Sequence, residues 1–295
     1  MLANEFEKAF KNNFYLTEEW ASFCSKVTGT KLIKRTISKQ KIFLLKNKNV
    51  SISNYDTKTA KEMKDNRILF MKVLPEINNK SQNPSFIEYA LFYKKSYDEA
   101  VKNYKNSFSV ALKRGRKYSH TTRIIKDYDE KVIKKVYDVY TSQMKRLNSV
   151  IFPLSFFEHF MKCPSSLLFI LEHKNKIISY SFCFQYKDNL YTSIGGSNPN
   201  FFKLKANNKL YDERIKYACK NNLNIHFGIG EKDAGYSLFK EQAGALNYKC
   251  KRHPNDEWMI KLFTPLFKLK LSGIILQFIS KRSPKKIVYT AMPFT

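Results

Sequence analysis

The stretch LYTSIGGSNPNFFKLKANNKLYDERIKYACKNNLNIHFGIGEKDAGYSLFKEQAGALNYKC, residues 190–250, decides the fold. It predicts a strand ending at a Gly-Gly pair, a helix, a strand ending at Gly228-Ile229-Gly230, a helix from Gly235 and a last strand. Glycines at such strand ends let the backbone adopt positive φ or approach a ligand closely. Lys240 lies just inside the second helix, beyond a strand's carboxyl end, where α/β folds place ligand sites.

The segments before this stretch extend the same pattern. Residues 167–171, 177–186 and 190–195 are apolar runs joined by short polar connections, which predicts an antiparallel meander. Residues 129–147 carry an apolar stripe at helical spacing, and Ser96 with Glu99 forms a capping box that opens an earlier helix running towards residues 113–117. We therefore expect an α/β (α+β) fold in which helices flank a mixed sheet.

The amino-terminal part predicts a smaller sheet of its own. Thr17 is a candidate N-cap for a helix over residues 17–27, and Gly29 marks its end. Two strand-like runs follow within residues 31–45, a third covers residues 68–73, and a strand over residues 87–93 precedes the capping box.

The motifs IGGSNPNF, NIHFGIG and GYSLFKEQAGA, in this order and spacing, resemble the Fem-type aminoacyltransferases. These enzymes form a branch of the GNAT acyltransferase superfamily, and the founding members build peptidoglycan cross-bridges. Phe239-Lys240, Gly244 and Phe227-Gly228 match the family pattern. His226 replaces the usual acid and Ala243 replaces the usual aromatic residue.

The resemblance implies two GNAT-like halves with the acceptor between them. We expect a degenerate half over residues 1–84, an acyltransferase domain over residues 85–260 and a basic amphipathic segment over residues 261–295. Classical GNAT enzymes hold the acetyl-CoA pyrophosphate on a turn that is absent after Gly195-Gly196. Either the donor is not acetyl-CoA held in the usual way, or its phosphates meet other groups such as Lys203 and Lys205.

The chain is strongly basic. It has 295 residues, 53 Lys and Arg against 25 Asp and Glu, and a formal net charge of +28. Such a field favours anionic partners, namely tRNA, a nucleotide-sugar or lipid-linked precursor, or an anionic membrane surface. An AT-rich genome, which enriches Lys, Asn, Phe, Tyr and Ile together, explains the charge equally well.

The location follows from the cysteines and the apolar runs. The five cysteines are scattered without C-x-x-C spacing, which argues against a disulfide framework or a zinc site and for a reducing compartment. The amino terminus shows no secretory signal, and no apolar run approaches the roughly 20 residues that span a bilayer. We expect a cytoplasmic protein, with peripheral contact to the inner face of the membrane through its basic carboxyl-terminal segment.

The expected chemistry is acyl or aminoacyl transfer from acyl-CoA or aminoacyl-tRNA, used as a co-substrate, to an amine of a cell-envelope or sugar-type acceptor. No bound cofactor or metal is expected, and nucleophile-elbow, P-loop and dinucleotide-binding motifs are absent from the sequence. Lys240 is the candidate cation for the developing oxyanion. His226 is a candidate base, with Asp233 and Glu231 as alternatives.

Further basic and aromatic residues are candidates for substrate binding. The densest basic cluster suits phosphate groups, although a solvated helix end explains it equally well. The candidates are Lys113, Arg114, Arg116, Lys117, Lys203, Lys205, Arg214 and Tyr236. A different class of function, a non-catalytic nucleic-acid-binding or membrane-associated protein, would use the same basic surface. An enzyme should concentrate basic groups around one cleft near Lys240, whereas a binding protein should spread them over an open face.

Overall fold

The computed structural model describes residues 14–29, 31–37, 40–45, 50–51, 69–70, 73–75, 86–147, 149, 151–230 and 235–252. The chain divides into two compact units. The first comprises residues 1–87, 148–159 and 249–295, and the second comprises residues 88–147 and 160–248.

The first unit contains a capped helix and a small sheet. Helix α1 (Glu18–Thr28) begins after Thr17, whose side chain accepts a hydrogen bond from the Trp20 amide, and it ends at Gly29 with φ of 65°. Both caps confirm the sequence prediction, since a hydroxyl satisfies an orphan amide and glycine tolerates the left-handed conformation. The sheet has the order β1-β2-β3-β4. Its strands are β1 (Leu32–Ile37), β2 (Gln40–Leu45), β3 (Val50–Ser51) and β4 (Leu69–Phe70).

Among the described residues, the larger sheet has eight strands in the order β5-β12-β6-β11-β10-β9-β8-β7. Seven of its strands are β6 (Phe86–Phe92), β7 (Thr121–Ile125), β8 (Ser166–His173), β9 (Lys176–Tyr186), β10 (Asn189–Ser197), β11 (Asn224–Gly230) and β12 (Leu246–Arg252). The end of β12 pairs antiparallel with the short strand β5 (Val73–Pro75), and the paired residues of both strands belong to the first unit. The predicted meander is confirmed, because β8, β9 and β10 pair antiparallel in chain order.

Helices cover this sheet, and one predicted helix is in fact two. The helices are α2 (Tyr97–Lys102), α3 (Asn106–Gly115), α4 (Glu130–Arg146), α5 (Leu154–Met161), α6 (Ala206–Lys220) and α7 (Gly235–Gln242). The capping box at Ser96 opens α2 as expected. The helix predicted to run on to residues 113–117 breaks at Lys105, which is extended (φ −66°, ψ 153°) and donates its amide to the Gln242 carbonyl.

Two apolar layers lie between this sheet and its helices. On one face, Phe108 of α3, Phe169 of β8 and Ile215 of α6 are fully buried in one cluster. On the other, Phe160 stacks on Phe184 with ring centroids 4.1 Å apart. The apolar stripe predicted for α4 is buried at Val132, Val136, Val139 and Tyr140, which confirms the orientation of the helix. Leu147, which was predicted to belong to the stripe, is exposed. Each fully buried side chain of this size contributes about 1.5–3 kcal/mol.

The predicted fold class, a mixed sheet flanked by helices, is confirmed. The placement of β6 was not anticipated: it lies between β11 and β12, with Leu91 opposite His226. The degenerate amino-terminal half and the boundaries 1–84, 85–260 and 261–295 stay predictions. The basic carboxyl-terminal segment lies outside the described residues. Within the part of the chain that the structure describes, no helix is both long and apolar enough to cross a bilayer.

Candidate active site

The site is organised by a split between two parallel strands. β10 and β11 pair only at Asn189↔Asn224, Leu190↔Ile225 and Tyr191↔His226. Beyond these pairs the register of β10 against β9 shifts between Thr192 and Gly195, which marks a bulge. A bulge bends its strand and re-aims the backbone. The carboxyl ends of β10 and β11 therefore part, where open α/β sheets place their ligands.

β11 has a bulge of its own at the same level. Its register against β6 shifts between His226 and Gly228, and Gly228 has φ of 75°. A methyl group added at Gly228 would meet no atom within 4 Å. The glycine is therefore required by its left-handed backbone rather than by crowding, and space lies beside it.

Lys240 of α7 contacts this bulge through its side chain. Its side chain is 7% exposed, and its Nζ donates a hydrogen bond to the Gly228 carbonyl oxygen at 3.3 Å. Burial, reinforced by the positive charge of Arg214, lowers the pKa of Lys240 to about 8. Since this pKa lies above neutrality, Lys240 is mainly a cation at pH 7. The neighbouring Phe239 is partly buried and packs on Tyr211 with ring centroids 4.7 Å apart.

Arg214 of α6 is a second buried cation on the same face of the sheet. It is 3% exposed, and its Nη1 donates to Ser181 Oγ of β9 at 3.0 Å. Its guanidinium lies 3.9 Å from the centroid of the Tyr211 ring and 5.6 Å from that of Phe227. The described ion pairs do not include Arg214. A buried charge without a carboxylate is unusual in proteins.

His226 has the contacts of a structural residue. Its ring stacks on Tyr191 with centroids 4.3 Å apart, and its Nε2 lies 2.9 Å from Asn189 Oδ1. The same oxygen accepts from Asn224 Nδ2 at 3.1 Å, so Nε2 is the donor to it. Complete burial lowers the pKa of His226 to about 3. These contacts favour a structural role over the base proposed from the sequence, because so weak a base holds no proton near neutrality.

Two of the predicted basic segments meet at the amino terminus of α6. Gly115 is buried at the end of α3, and a Cβ there would lie 3.4 Å from the Cβ of Lys205 and 3.5 Å from the Leu204 carbonyl oxygen. The cluster Lys113–Lys117 thus adjoins the turn that carries Lys203 and Lys205. Lys205 caps α6 with φ of 56° and makes no side-chain hydrogen bond to it. Uncapped amides at a helix start and adjacent cations form an anion-binding surface.

The candidate residues therefore fall into two places. Lys240, Arg214 and Tyr236 lie around the bulge of β11, with Lys240 Nζ 5.7 Å from the Tyr236 ring centroid. The basic cluster Lys113–Lys117 adjoins the start of α6 through Gly115, and Lys203 and Lys205 precede that helix. Glu231 and Asp233 lie outside the described residues. Sequence reasoning missed two buried serines, Ser181 and Ser237. Ser181 lies in no motif, and Ser237 lies within GYSLFKEQAGA but was not among the candidates.

Other chemistries find little support in the described part of the chain. Burial raises the pKa of the Cys183 and Cys219 thiols, which disfavours the thiolate needed for nucleophilic attack. Among the residues that the structure describes, no group of three or more His, Cys, Asp or Glu side chains could hold a metal ion.

Residues 102–249 match the family model described as acetyltransferase (GNAT) domain. This chain belongs to that family. The GNAT assignment makes the protein an acyltransferase, and it confirms the superfamily identified from the sequence. No curated protein sequence matches the chain.

Solved structures agree with the GNAT fold. FemX aligns with a TM-score of 0.60 and 12% identity over 85% of this chain and 94% of its own. L-PGS from Bacillus licheniformis aligns with a TM-score of 0.56 and 10% identity over 91% and 98%. A conserved protein of unknown function from Bacteroides thetaiotaomicron aligns with a TM-score of 0.54 and 11% identity over 79% and 89%. At these identities the likeness concerns the fold of the GNAT acyltransferase alone.

Proposed function

We propose that this protein transfers an acyl or aminoacyl group from a phosphate-bearing donor, acyl-CoA or aminoacyl-tRNA, to an amine. The observation that carries this proposal is the pairing of two features along the split. A basic surface lies at the start of α6, and a buried cation, Lys240, contacts the bulge of β11. The first suits the donor's phosphates and the second suits the carbonyl that reacts.

The donor's phosphates would bind at the amino terminus of α6. Lys203 and Lys205 precede the helix, and Lys113, Arg114, Arg116 and Lys117 adjoin it through the contact at Gly115. Arg can pair with phosphate oxygens in a bidentate way, and the unpaired helix amides add further donors. This arrangement supports the sequence-based alternative in which lysines replace the usual pyrophosphate-binding turn.

The reaction needs a cation near the carbonyl and a group that takes one proton. The amine nitrogen attacks the carbonyl carbon, and the carbonyl electron pair moves onto oxygen. Collapse of this intermediate expels the thiolate of CoA or the ribose oxygen of tRNA, while the amine loses its proton. Lys240, which is mainly protonated at pH 7, would stabilise the oxyanion, an effect worth about 2.7–4 kcal/mol for a single donor. Asp233 remains our candidate for the proton acceptor.

The acceptor would be an amine on an anionic molecule of the cell envelope or on a sugar. The net charge of +28 supports an anionic acceptor such as a nucleotide-sugar or lipid-linked precursor. A cytoplasmic site beside the inner face of the membrane would give access to both kinds of precursor, and residues 261–295 would supply the contact with anionic lipid.

Donor turnover tests the proposal directly. Purified protein is incubated with a panel of short acyl-CoAs and charged tRNAs, together with amino-sugar and peptide amines, and products are detected by mass spectrometry. We expect amine-dependent release of CoA or of uncharged tRNA, and its loss in Lys240→Met. Binding of nucleic acid without turnover of any donor would favour a non-catalytic role.

A further inference from the structure

Two buried donors beneath the split have no hydrogen-bond partner among the described residues. They are Arg214 Nε and Ser237 Oγ, and their residues are 3% and 2% exposed. Buried polar groups in proteins are almost always paired, and an unpaired group costs about 1–3 kcal/mol. Two such donors on one face of the sheet call for a ligand.

Both donors lie near the bulge of β11. Ser237 lies three residues before Lys240 on α7, so the two side chains share one face of that helix. Arg214 reaches the bulge from α6, with its guanidinium against the Phe227 ring. The Arg214 charge also acts on Lys240, where it adds to burial in lowering the pKa. Arg214 and Lys240 therefore bring two positive charges to the same part of the sheet.

The position of Arg214 along α6 separates this place from the phosphate surface. Arg214 is eight residues beyond Ala206, the first residue of α6, which is about 12 Å at 1.5 Å per residue. Its Nη1 binds Ser181, which pairs with Gly195 at the bulge of β10. The guanidinium therefore lies at the level of the split where the reacting groups meet, not where the donor's phosphates bind.

We infer that Arg214, Ser237 and Lys240 form a carboxylate-binding subsite beneath the split of β10 and β11. The planar guanidinium matches a carboxylate, the Ser237 hydroxyl adds a neutral donor, and the Lys240 ammonium adds charge. The carboxylate belongs either to the acyl group, as in a dicarboxylic acyl thioester, or to the acceptor, as in an amino acid or peptide. The identity of the two substrates rests on the acyl transfer proposed above. The affinity of the subsite for a carboxylate does not depend on that proposal.

Matched ligand pairs test the subsite by isothermal titration calorimetry. Succinyl-CoA is compared with butyryl-CoA, the dipeptide alanyl-alanine with its carboxyl-terminal amide, and free succinate with succinamide. We expect succinate to bind about tenfold more tightly than succinamide, or better. In at least one substrate pair, the member with the carboxylate should exceed its neutral counterpart by the same factor. Hydrogen bonds to a charged group contribute enough free energy for such a difference. The pair that discriminates identifies the substrate that carries the carboxylate.

Variants separate binding of the carboxylate from a structural role. Arg214→Gln should lose the discrimination while keeping the affinity for the neutral members, and Arg214→Lys should keep part of it. Ser237→Ala should reduce it several-fold and serves if Arg214→Gln fails to fold. The matched control is Lys220→Gln, at the exposed end of the same helix, and it should bind all ligands as the wild type does.

The outcomes distinguish this inference from the proposed function. Equal affinity within all three pairs would mean that only water satisfies Arg214 and Ser237, and it would overturn the subsite. If thioesters fail to bind but succinate still binds tighter than succinamide, the acyl-CoA donor is wrong and the subsite stands. If thioesters bind without discrimination and the dipeptide pair discriminates, the carboxylate belongs to the acceptor.

Discussion

The ammonium group of Lys240 lies 3.3 Å from the carbonyl oxygen of Gly228, so a buried cation of α7 is attached to the bulge of β11. We predict that Lys240→Met lowers the rate of acyl transfer by about two to three orders of magnitude, because it removes the charge that stabilises the oxyanion. Its unfolding free energy should be unchanged or higher, since burial disfavours the charged lysine. Initial rates and urea denaturation of the same preparations check both parts.

Lys240→Arg is the companion variant. It keeps the positive charge but replaces a compact ammonium with a planar fork, so we expect it to recover little of the lost rate. Full turnover in either variant would remove Lys240 from the catalytic machinery.

The basic surface at the start of α6 predicts a salt-dependent affinity for the donor. The quadruple variant of Lys113, Arg114, Arg116 and Lys117 to Ala should bind acyl-CoA or tRNA more weakly, with a shallower dependence on salt. Its matched control is a quadruple Ala variant at the exposed residues Lys126, Lys131, Lys135 and Lys220. If both variants lose affinity equally, the donor responds only to overall charge.

We expect any side chain at Gly228 to destabilise the folded protein, because this residue forms the bulge of β11. Gly228→Ala should lower the unfolding free energy by about 1–2 kcal/mol, because φ of 75° places a Cβ in the disfavoured left-handed region. Activity should also fall, since the carbonyl that holds Lys240 shifts. Gly235→Ala is the control: it likewise meets no atom within 4 Å and has no positive φ. Similar melting temperatures for the two variants would contradict the strain argument.

His226 predicts a pH dependence of stability. Its pKa is 6.5 in an unfolded chain and about 3 when buried, so folding favours the neutral ring. Stability from this group is therefore complete above pH 6.5 and is lost as the pH falls from 6.5 towards 3, by about 1.4 kcal/mol per pH unit. Urea denaturation at pH 7.5 and 5.0 should show a smaller loss in His226→Gln than in the wild type. Equal losses would mean that His226 is accessible to protons.

Sequence reasoning recovered the elements that carry local signals. The helix at Glu18–Thr28 has a hydroxyl cap and a terminal glycine, and the meander β8-β9-β10 has polar turns between apolar runs. β7 (Thr121–Ile125) escaped prediction, because its five residues show the burial pattern of a largely exposed edge strand. The break at Lys105 escaped it too, since that break depends on a hydrogen bond to Gln242, far along the chain.

Candidate residues for the site could be named from the sequence, but their surroundings could not be predicted. Lys240 and Arg214 were candidates because of their positions in a motif and on a helix. Their burial beneath one bulge follows from the packing of α6 and α7 on β9 and β11, which no local pattern encodes. For His226 two roles stay open from the sequence alone, because a histidine at a strand end suits either a base or a structural residue. Its stacking on Tyr191 favours the second role.

β6 cannot form its hydrogen bonds in the sheet until the later strands on both of its sides, β11 and β12, have been synthesised. The family match begins at residue 102, yet β6 (Phe86–Phe92) precedes it and is an internal strand of the sheet, between β11 and β12. Leu91 pairs with His226, so the ribosome releases β6 long before either of its neighbours exists. Closing so long a loop is slow, and until then β6 presents unpaired edges. A fragment cut at residue 102 would lack that strand altogether, and β11 and β12 would be left as open edges that invite aggregation.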